Sequence, residues 1–460
     1  MKLNIQKRLR LQRRKRTPIQ LSDHFSYGRL LRFTWPTMMM LIITSIYGLV
    51  DGLMVSNFVG NTEFAALNLI WPFVAIMASI GNMFSTGGSA LVAKIMGEGD
   101  EKKSRDVFSL LTYCVIISAI TLGFAGRLVV RDVAVFMGAK GEMISLCVEY
   151  GEILLLMLPA FVLQIYFQTF QITAEKPKMG MWVTIIAGII NIIFDWVFIK
   201  EWGWGLKGAA WGTSISLCFG GFFPLLYFAR KREGESKLWL GAATWNMKAL
   251  LKTMSNGLSE FVMNISLSFV SMLYMYILLR NIGENGISAY GVIMYYAFIF
   301  VAILLGFGIG SAPIISYHYG AQNKDEMHNL LKKGMTIMAV SSIGITLVAE
   351  SLSYPLSYLM VGQHEELLVL TVHAFRIYSL NLLVTGINIY ASAFFTALNN
   401  GPVSAFISLS RTLIFEAGSV LILPKIFGIE GIWWSVCVAE TISAITSIGL
   451  LYHYRKRYGY

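Results

Sequence analysis

Residues 181–199 read MWVTIIAGIINIIFDWVFI, and this stretch decides the class of fold. As a helix it rises about 28 Å, at about 1.5 Å per residue, and so nearly spans the roughly 30 Å of hydrocarbon in a bilayer. Its apolar residues are continuous rather than alternating, which excludes a strand of a transmembrane barrel. Asn191 and Asp195 are its strongly polar members, and they share one helix face because they are four residues apart. The stretch therefore predicts a membrane-spanning helix with polar groups on one side.

Eleven further apolar runs of this kind fill the chain. Apolar residues make up 56 % of the 460 positions and charged residues only 14 %, against about 25 % charged residues in soluble proteins. We therefore predict an all-α polytopic membrane protein with twelve transmembrane helices. The predicted spans lie near Leu31–Phe58, Ala65–Ile95, Val107–Gly126, Leu146–Ile172, Met181–Ile199, Ala209–Arg230, Leu250–Leu279, Gly286–His318, Gly334–Leu352, Leu367–Leu398, Val403–Leu423 and Gly431–Tyr454.

The basic residues predict the orientation of these spans. Of the 37 Lys and Arg residues, 28 fall in six alternate regions, namely the tail to residue 32 and the segments 94–105, 176–178, 230–252, 324–333 and 455–457. Because basic residues concentrate on the cytosolic side, we expect both termini in the cytosol and the protein in the cell membrane. The net charge of +11 then reflects how the chain is oriented in the membrane. The stretch Lys2–Arg16 is expected to be a solvated tail that touches membrane lipid, and nucleic-acid binding is not expected.

The second half of the chain repeats the first at an offset of 223 residues, so that Gly97 falls on Gly320 and Thr173-Ala174 falls on Thr396-Ala397. Six spans per half is an even number, so both halves enter the membrane in the same sense. We therefore predict two six-helix bundles related by a pseudo-two-fold axis along the membrane normal, an architecture typical of transport by alternating access. The predicted domains are a basic cytosolic tail (1–24), an N-terminal bundle (25–230), a cytosolic linker (231–248), a C-terminal bundle (249–454) and a cytosolic C-terminal tail (455–460).

No constellation of catalytic residues is present in the sequence. The four cysteines are scattered singly, the six histidines include no HExxH pair, and no Gly-Lys dipeptide exists that could form a phosphate-binding loop. We therefore expect neither an enzyme nor a resident cofactor.

Two aspartates of the first half are predicted to lie within the membrane, where a carboxylate is costly and usually functional. Asp51 follows Tyr47 by one turn in the first span, and Asp195 shares a helix face with Asn191 in the fifth. Thr213 on the sixth span could complete the set of oxygen ligands. Such oxygens suit Na⁺, which is the only metal ion expected at this site, and a desolvated carboxylate pair equally suits a proton. The choice between H⁺ and Na⁺ stays open.

The second half has its own intramembrane charges. Glu260 is a candidate site for a cationic substrate or a proton, and Arg411 is expected to make a structural contact with a carboxylate on another helix. The roles of Glu416 and Glu440 stay open.

These features occur together with a series of sequence motifs, which are Val50–Ser56 (VDGLMVS), Met96–Asp100 (MGEGD), Asn191–Asp195 (NIIFD), Gly208–Thr213 (GAAWGT), Tyr319–Asn323 (YGAQN) and Gly428–Trp433 (GIEGIW). In this order, over about residues 25–455, the chain resembles the multidrug and toxic compound extrusion (MATE) transporters and, within them, the MepA-like bacterial branch. The resemblance implies ion-coupled antiport of organic cations, with the ion held at Tyr47, Asp51, Asn191, Asp195 and Thr213. The chain departs from the family pattern at Trp196, where a proline often follows the aspartate.

The expected function is a secondary active efflux transporter that couples the entry of H⁺ or Na⁺ to the export of small cationic amphiphiles, including drugs. The alternative is a flippase for a lipid-linked saccharide or peptidoglycan precursor. A flippase should offer a cationic cavity to the pyrophosphate, whereas the buried acids favour cations. We expect the protein to be a monomer.

Overall fold

The computed structural model describes residues 19–231 and 237–460. Within these ranges the chain is almost entirely helical and contains no strand. Two parts of the predicted domains lie outside the described residues, namely residues 1–18 of the basic tail (1–24) and residues 232–236 of the linker (231–248). The boundaries of the five domains stay a prediction.

Twelve helical spans follow one another in the described residues, ten as single runs and two as bent pairs of helices, which confirms the predicted fold class. They are α1 (Tyr27–Phe58), α2 (Asn61–Gly97), α3 (Glu101–Phe136), α4 (Glu142–Leu156 with Leu158–Thr173), α5 (Pro177–Glu201), α6 (Gly205–Ala229), α7 (Met247–Asn281), α8 (Glu284–Gly320), α9 (Lys324–Val361), α10 (Glu365–Ser379 with Leu382–Ala397), α11 (Gly401–Phe427) and α12 (Ile429–Tyr458).

Several helices extend beyond the apolar runs that predict them, because polar residues cap their ends. The predicted third span, Val107–Gly126, is only the apolar centre of α3. The carboxylate of Asp100 accepts a hydrogen bond from the backbone N–H of Lys103 at 2.9 Å and thereby caps α3. Asn323, the equivalent residue of the second half, caps α9 in the same way through the N–H of Glu326 at 3.1 Å.

The fourth span of each half is bent. The two parts of α4 meet at 55°, directly before Pro159, which has no N–H to continue the helical hydrogen bonds. The parts of α10 meet at 45° without a proline. There the side chain of Asn381 donates a hydrogen bond to the carbonyl of Tyr378 at 2.5 Å and accepts one from the hydroxyl of Thr385 at 3.0 Å. A side chain that competes for backbone groups in this way is a known cause of helix bending.

The fifth span of each half contains a π-helical turn. In α5 this turn covers Trp196–Glu201 and begins directly after Asp195. In α11 it covers Ser410–Glu416 and includes Arg411. Single π turns in helices are frequent at functional sites because they rotate the following side chains. Both turns therefore coincide with charged residues inside the membrane.

The surface of the spans is apolar, as contact with lipid requires. On α3, the side chains of Ile117, Ile120, Phe124 and Leu128 recur at intervals of three or four residues, and each is more than half exposed. This spacing places all four on one face of the helix. Such a face is stable against hydrocarbon and not against water.

The two halves pack through α1 and α2 of the first and α7 and α8 of the second. Gly97 of α2 lies against the carbonyl oxygen of Tyr317, and Gly320 of α8 lies against the carbonyl oxygen of Lys94, so closely that a Cβ on either glycine would overlap the oxygen. The offset of 223 residues converts one contact into the other, residue by residue. The seam is therefore its own image under the predicted pseudo-two-fold axis.

The halves are closed against each other at one end, which we call the basic end because it holds the segments 94–105 and 324–333. The amide of Asn399 donates to the carbonyl of Ala90 across the seam at 3.3 Å. Lys333 Nζ donates to the carbonyl of Phe25 at 2.7 Å. Among the described residues, no hydrogen bond or ion pair joins the halves at the opposite end.

Candidate functional site

Asp51 of α1 and Asp195 of α5 meet inside the first half. Their carboxyl groups lie within hydrogen-bonding reach of each other, and Asp195 is 0 % exposed. Both carboxyl oxygens of Asp195 and Oδ1 of Asp51 have no hydrogen-bond partner among the described residues. An ionised carboxylate only accepts hydrogen bonds, so the two groups can attract each other only through a shared proton or a cation between them. The pair is a site for positive charge.

A glycine on α6 makes room for the buried carboxyl of Asp195. A Cβ on Gly212 would overlap Oδ1 of Asp195, so any larger residue would displace the carboxyl group. The next residue of α6, Thr213, accepts a hydrogen bond from the amide of Asn191 at 3.4 Å through its hydroxyl. The structure thus brings Asn191, Asp195 and Thr213 together with Asp51, and their role in ion binding stays a prediction.

Tyr47 borders the same cluster, and its hydroxyl is near other helices as well as near Asp51. Its ring packs on α5, where a Cβ on Gly188 would lie 3.0 Å from Cδ1 of the tyrosine. Its hydroxyl faces Thr44 and Gln164, and the charge of Asp51 is within electrostatic reach. Tyr47 therefore forms a wall of the acidic site and is held there from a third helix, α4.

Tyr150 is a fourth polar neighbour of the acids, and it is not among the site residues that the sequence predicts. It lies in the first part of α4, is 0 % exposed, and has no hydrogen-bond partner for its hydroxyl among the described residues. The charges of both Asp51 and Asp195 act on this hydroxyl. A single tyrosine in an apolar helix carries no pattern that separates it from lipid-facing aromatics, so the sequence offered no usable signal.

All the polar atoms of this site are carboxyl, amide or hydroxyl groups. Oxygen donors of this kind suit hard cations and have little affinity for transition metals. Two carboxylates at this depth repel each other strongly unless a positive charge is present, because the surroundings are apolar. The arrangement is therefore suited to bind and release one or two small cations, with no covalent chemistry.

The second half contains a buried ion pair. Nε of Arg411, on α11, donates to Oε1 of Glu440, on α12, at 2.6 Å. Oε2 of Glu440 accepts a hydrogen bond from the amide of Asn388 at 2.7 Å, and the Asn388 carbonyl oxygen accepts one from the Ser447 hydroxyl at 3.0 Å. Both oxygens of Glu440 are thus occupied. The structural role of Arg411 remains a prediction.

Glu260 lies in a separate cavity of the second half. The cavity lies between α7, α8, α10 and α11, and its polar lining consists of Glu260, Asn388, Ser392, Ser408 and Arg411. Among the described residues no basic side chain forms an ion pair with Glu260. The structure therefore separates the acids of the first half from the Glu260 cavity, and the two groups of predicted site residues do not form one cluster.

The chain matches the family model described as MatE in two segments, residues 36–197 and 261–418. Together these segments cover well over half of the chain. Each lies in one half, and their starts and ends are displaced by nearly the offset found in the sequence.

Known relatives extend this similarity over almost the whole chain. The multidrug export protein MepA of Staphylococcus aureus (strain NCTC 8325 / PS 47) is 24 % identical over 441 residues, and MepA of Staphylococcus haemolyticus (strain JCSC1435) is 26 % identical over 438 residues; each alignment covers 94 % of both chains. A solved structure, described as the outward-facing conformation of a multidrug resistance MATE family transporter of the MOP superfamily, has a TM-score of 0.89 at 21 % identity and covers 96 % of this chain and 98 % of that chain. The chain therefore belongs to the MatE family of multi-pass membrane transporters.

Proposed function

We propose that the protein is a secondary active exporter, in which H⁺ or Na⁺ binds at Asp51 and Asp195 and drives the antiport of small organic cations. The observation that carries this proposal is the carboxyl pair of Asp51 and the fully buried Asp195, with which no basic side chain of the described residues forms an ion pair. An ion that binds there removes a repulsion inside the first half and so changes the relative free energy of any two conformations that hold the acids differently. Only such a difference in ion affinity between states can drive transport.

The neighbouring side chains support ion binding at this pair. Asn191, Thr213 and Tyr150 add oxygen atoms that can replace part of the water around a dehydrated Na⁺. Tyr150 can equally donate its hydroxyl hydrogen to a carboxylate that has released a proton. Both H⁺ and Na⁺ therefore fit the site, and measuring which ion the substrate releases distinguishes between them.

We further propose that the basic end faces the cytosol of the cell, since most of the Lys and Arg residues in the described part of the chain lie there. The halves are closed at that end and joined by no described hydrogen bond at the other. In a cycle of alternating access this arrangement corresponds to the outward-facing state. Each half presents an apolar surface to lipid, and we propose that the protein works as a monomer.

Small cationic amphiphiles are the proposed substrates, and the relatives named MepA are multidrug export proteins. Glu260 offers a carboxylate without a basic partner in the cavity of the second half, which could hold a cationic group of the substrate. A flippase for a lipid-linked pyrophosphate is less well supported. The cation that lines this cavity, Arg411, already has Glu440 as its ion-pair partner.

The direct test measures ion release and transport in the same variants. Purified protein is given ethidium in weakly buffered solution at several pH values, with and without Na⁺, and everted membrane vesicles are assayed for ethidium uptake. We expect the substrate to release protons if H⁺ is the coupling ion, or Na⁺ if sodium is. Asp51→Asn and Asp195→Asn should abolish both the ion release and the uptake.

A matched control is Asp132→Asn, which neutralises an exposed acid of α3 in the same half and should leave both measurements unchanged. Glu260→Gln should weaken ethidium binding while substrate-independent proton or Na⁺ binding persists. Uptake at the parental rate in Asp51→Asn or Asp195→Asn would refute the coupling role of the pair.

A further inference from the structure

The described end of the N-terminal tail is a packed element rather than a free tail. Residues 19–25, here called the N-terminal strap, cross the basic end and precede α1. Leu21 and Phe25 are both 0 % exposed. The backbone N–H of Leu21 donates to Oε1 of Glu175, in the first half, at 2.8 Å. One end of the strap is therefore fixed to the half that α1 belongs to.

The other end of the strap is fixed to the second half, on the first turns of α9. The carboxylate of Glu326 accepts the backbone N–H of Phe25 at 2.9 Å and lies 2.5 Å from Nδ1 of His24. The carbonyl of Phe25 accepts hydrogen bonds from the amide of Asn329 at 3.0 Å and from Lys333 Nζ at 2.7 Å. Both backbone groups of Phe25 are thus held by the opposite half.

A second strap occupies the pseudo-symmetric place. Residues 238–241, here called the linker strap, precede α7 and dock on α3. The N–H of Gly241 donates to the hydroxyl of Ser109 at 3.0 Å, and the hydroxyl of Tyr113 donates to the carbonyl of Gly241 at 2.9 Å. The guanidinium of Arg105 lies 4.1 Å from the ring centre of Trp239. Each strap therefore leads into the first helix of one half and binds the third helix of the other.

The two straps differ in the number of residues that connect them to the following helix. Phe25 is separated from the start of α1, at Tyr27, by Ser26 alone. Gly241 is separated from the start of α7, at Met247, by residues 242–246. Five residues can extend to about 17 Å, at about 3.3–3.6 Å per residue. The longer connection allows more relative movement of the halves while the linker strap stays docked, whereas the single residue Ser26 allows the N-terminal strap almost none.

We propose that the N-terminal strap is a latch that holds the basic end closed and must leave α9 before that end can open, while the linker strap remains bound as a tether. This rests on the proposed cycle of alternating access. Release exposes Glu326, which is 5 % exposed in the closed form, and frees the backbone groups of Phe25. These groups must find water, so the latch favours the closed form until the halves have begun to part.

The test measures opening of the basic end directly. Spin labels are attached to Lys102→Cys on α3 and His328→Cys on α9, both exposed, in full-length protein from which the four native cysteines have been removed. Double electron–electron resonance in nanodiscs, with and without ethidium, gives the ratio of open to closed forms. We expect Glu326→Ala to raise this ratio about tenfold, which corresponds to about 1.4 kcal/mol.

The linker strap supplies the matched control. Ser109→Ala combined with Tyr113→Phe removes its two hydrogen bonds to α3, leaves the bond from the N–H of Leu240 to the carbonyl of Phe228, and should leave the ratio within about twofold of the parent. Glu326→Gln keeps an acceptor for Phe25 but loses the charge opposite His24, so it should give an intermediate shift, and it replaces Glu326→Ala if that variant fails to fold. An unchanged ratio in both Glu326 variants, or an equal shift in the linker variant, would overturn the proposal. Because the distances report opening whether or not ions are coupled, this outcome is distinct from a failure of the Asp51 and Asp195 test.

Discussion

The ion pair between Arg411 and Glu440 can be tested by a double-mutant cycle. In Arg411→Met, the carboxylate of Glu440 stays in place with a side chain that is 5 % exposed, and the amide of Asn388 is its only remaining polar contact among the described residues. In Glu440→Leu, the guanidinium of Arg411 is stranded in the same way at 16 % exposure. Removing one partner of a buried pair typically lowers the free energy of unfolding by about 3–5 kcal/mol.

The double variant should be far more stable than either single variant. With both charges replaced by apolar residues of similar volume, neither member of the pair is left without its partner, and such replacements are often neutral. Asn388 keeps a partner, because its amide also donates to the backbone carbonyl of Glu440 at 3.0 Å. We therefore expect the double variant to lie within about 2 kcal/mol of the parent.

Unfolding in mixed micelles of dodecyl sulfate and dodecylmaltoside, followed by the fluorescence of the 11 tryptophans, gives the four free energies. Losses of under about 1 kcal/mol in both single variants, or losses that simply add in the double variant, would refute this reasoning. Ethidium uptake by the double variant then decides the role of Arg411. Retained uptake identifies the pair as structural, and lost uptake in a stable protein places it in transport.

Two further predictions concern the acidic site of the first half. Gly212→Ala should push the carboxyl of Asp195 away from Asp51 and lower ethidium uptake by about tenfold or more at normal expression, whereas Gly449→Ala, whose Cβ would meet open space, should have no effect. Equal uptake in the two variants would contradict the proposed packing. Tyr150→Phe removes a hydroxyl oxygen that can serve as a ligand for Na⁺, so if Na⁺ is the coupling ion the concentration needed for half-maximal substrate release should rise about tenfold. If H⁺ is the coupling ion, the loss of a hydroxyl that can donate to the ionised carboxylate should lower the H⁺ concentration needed. Unchanged ion dependence would remove Tyr150 from the site.

The twelve spans and the repeat could be predicted because both are patterns along the chain. A continuous apolar run of sufficient length has few alternatives to a membrane helix, and the offset that relates Gly97 to Gly320 also relates their contacts in the structure. The bends in α4 and α10 were harder to predict from the sequence. Pro159 was a visible signal for the bend in α4, but the bend in α10 depends on how the side chain of Asn381 folds back on the helix.

In the site, features within a single helix could be predicted from the sequence, but contacts between helices could not. The spacing of Asn191 and Asp195 places both on one face, and this is a property of a single helix. That Tyr150 faces the same acids, and that Glu440 is the partner of Arg411, depends on the rotation and crossing of separate helices, which no periodicity encodes. The N-terminal strap could not be predicted for another reason. The many basic residues before it predict a solvated tail, so the packing of Leu21 and Phe25 was not expected.

The seam formed by Gly97 and Gly320 has the geometry of an isologous dimer interface, in which the same patch is used by both partners. Two separate identical chains would have to carry every residue twice, so a dimer with acids at 51 and 195 would hold two acidic pairs. Within a single chain this duplication is not required, and Tyr274 and Gly418 stand at the positions equivalent to Asp51 and Asp195. Covalent fusion therefore lets the closing surface stay two-fold while the acidic pair is present in one lobe only. In the proposed cycle of alternating access, ion binding in one lobe would then control a movement that both lobes share.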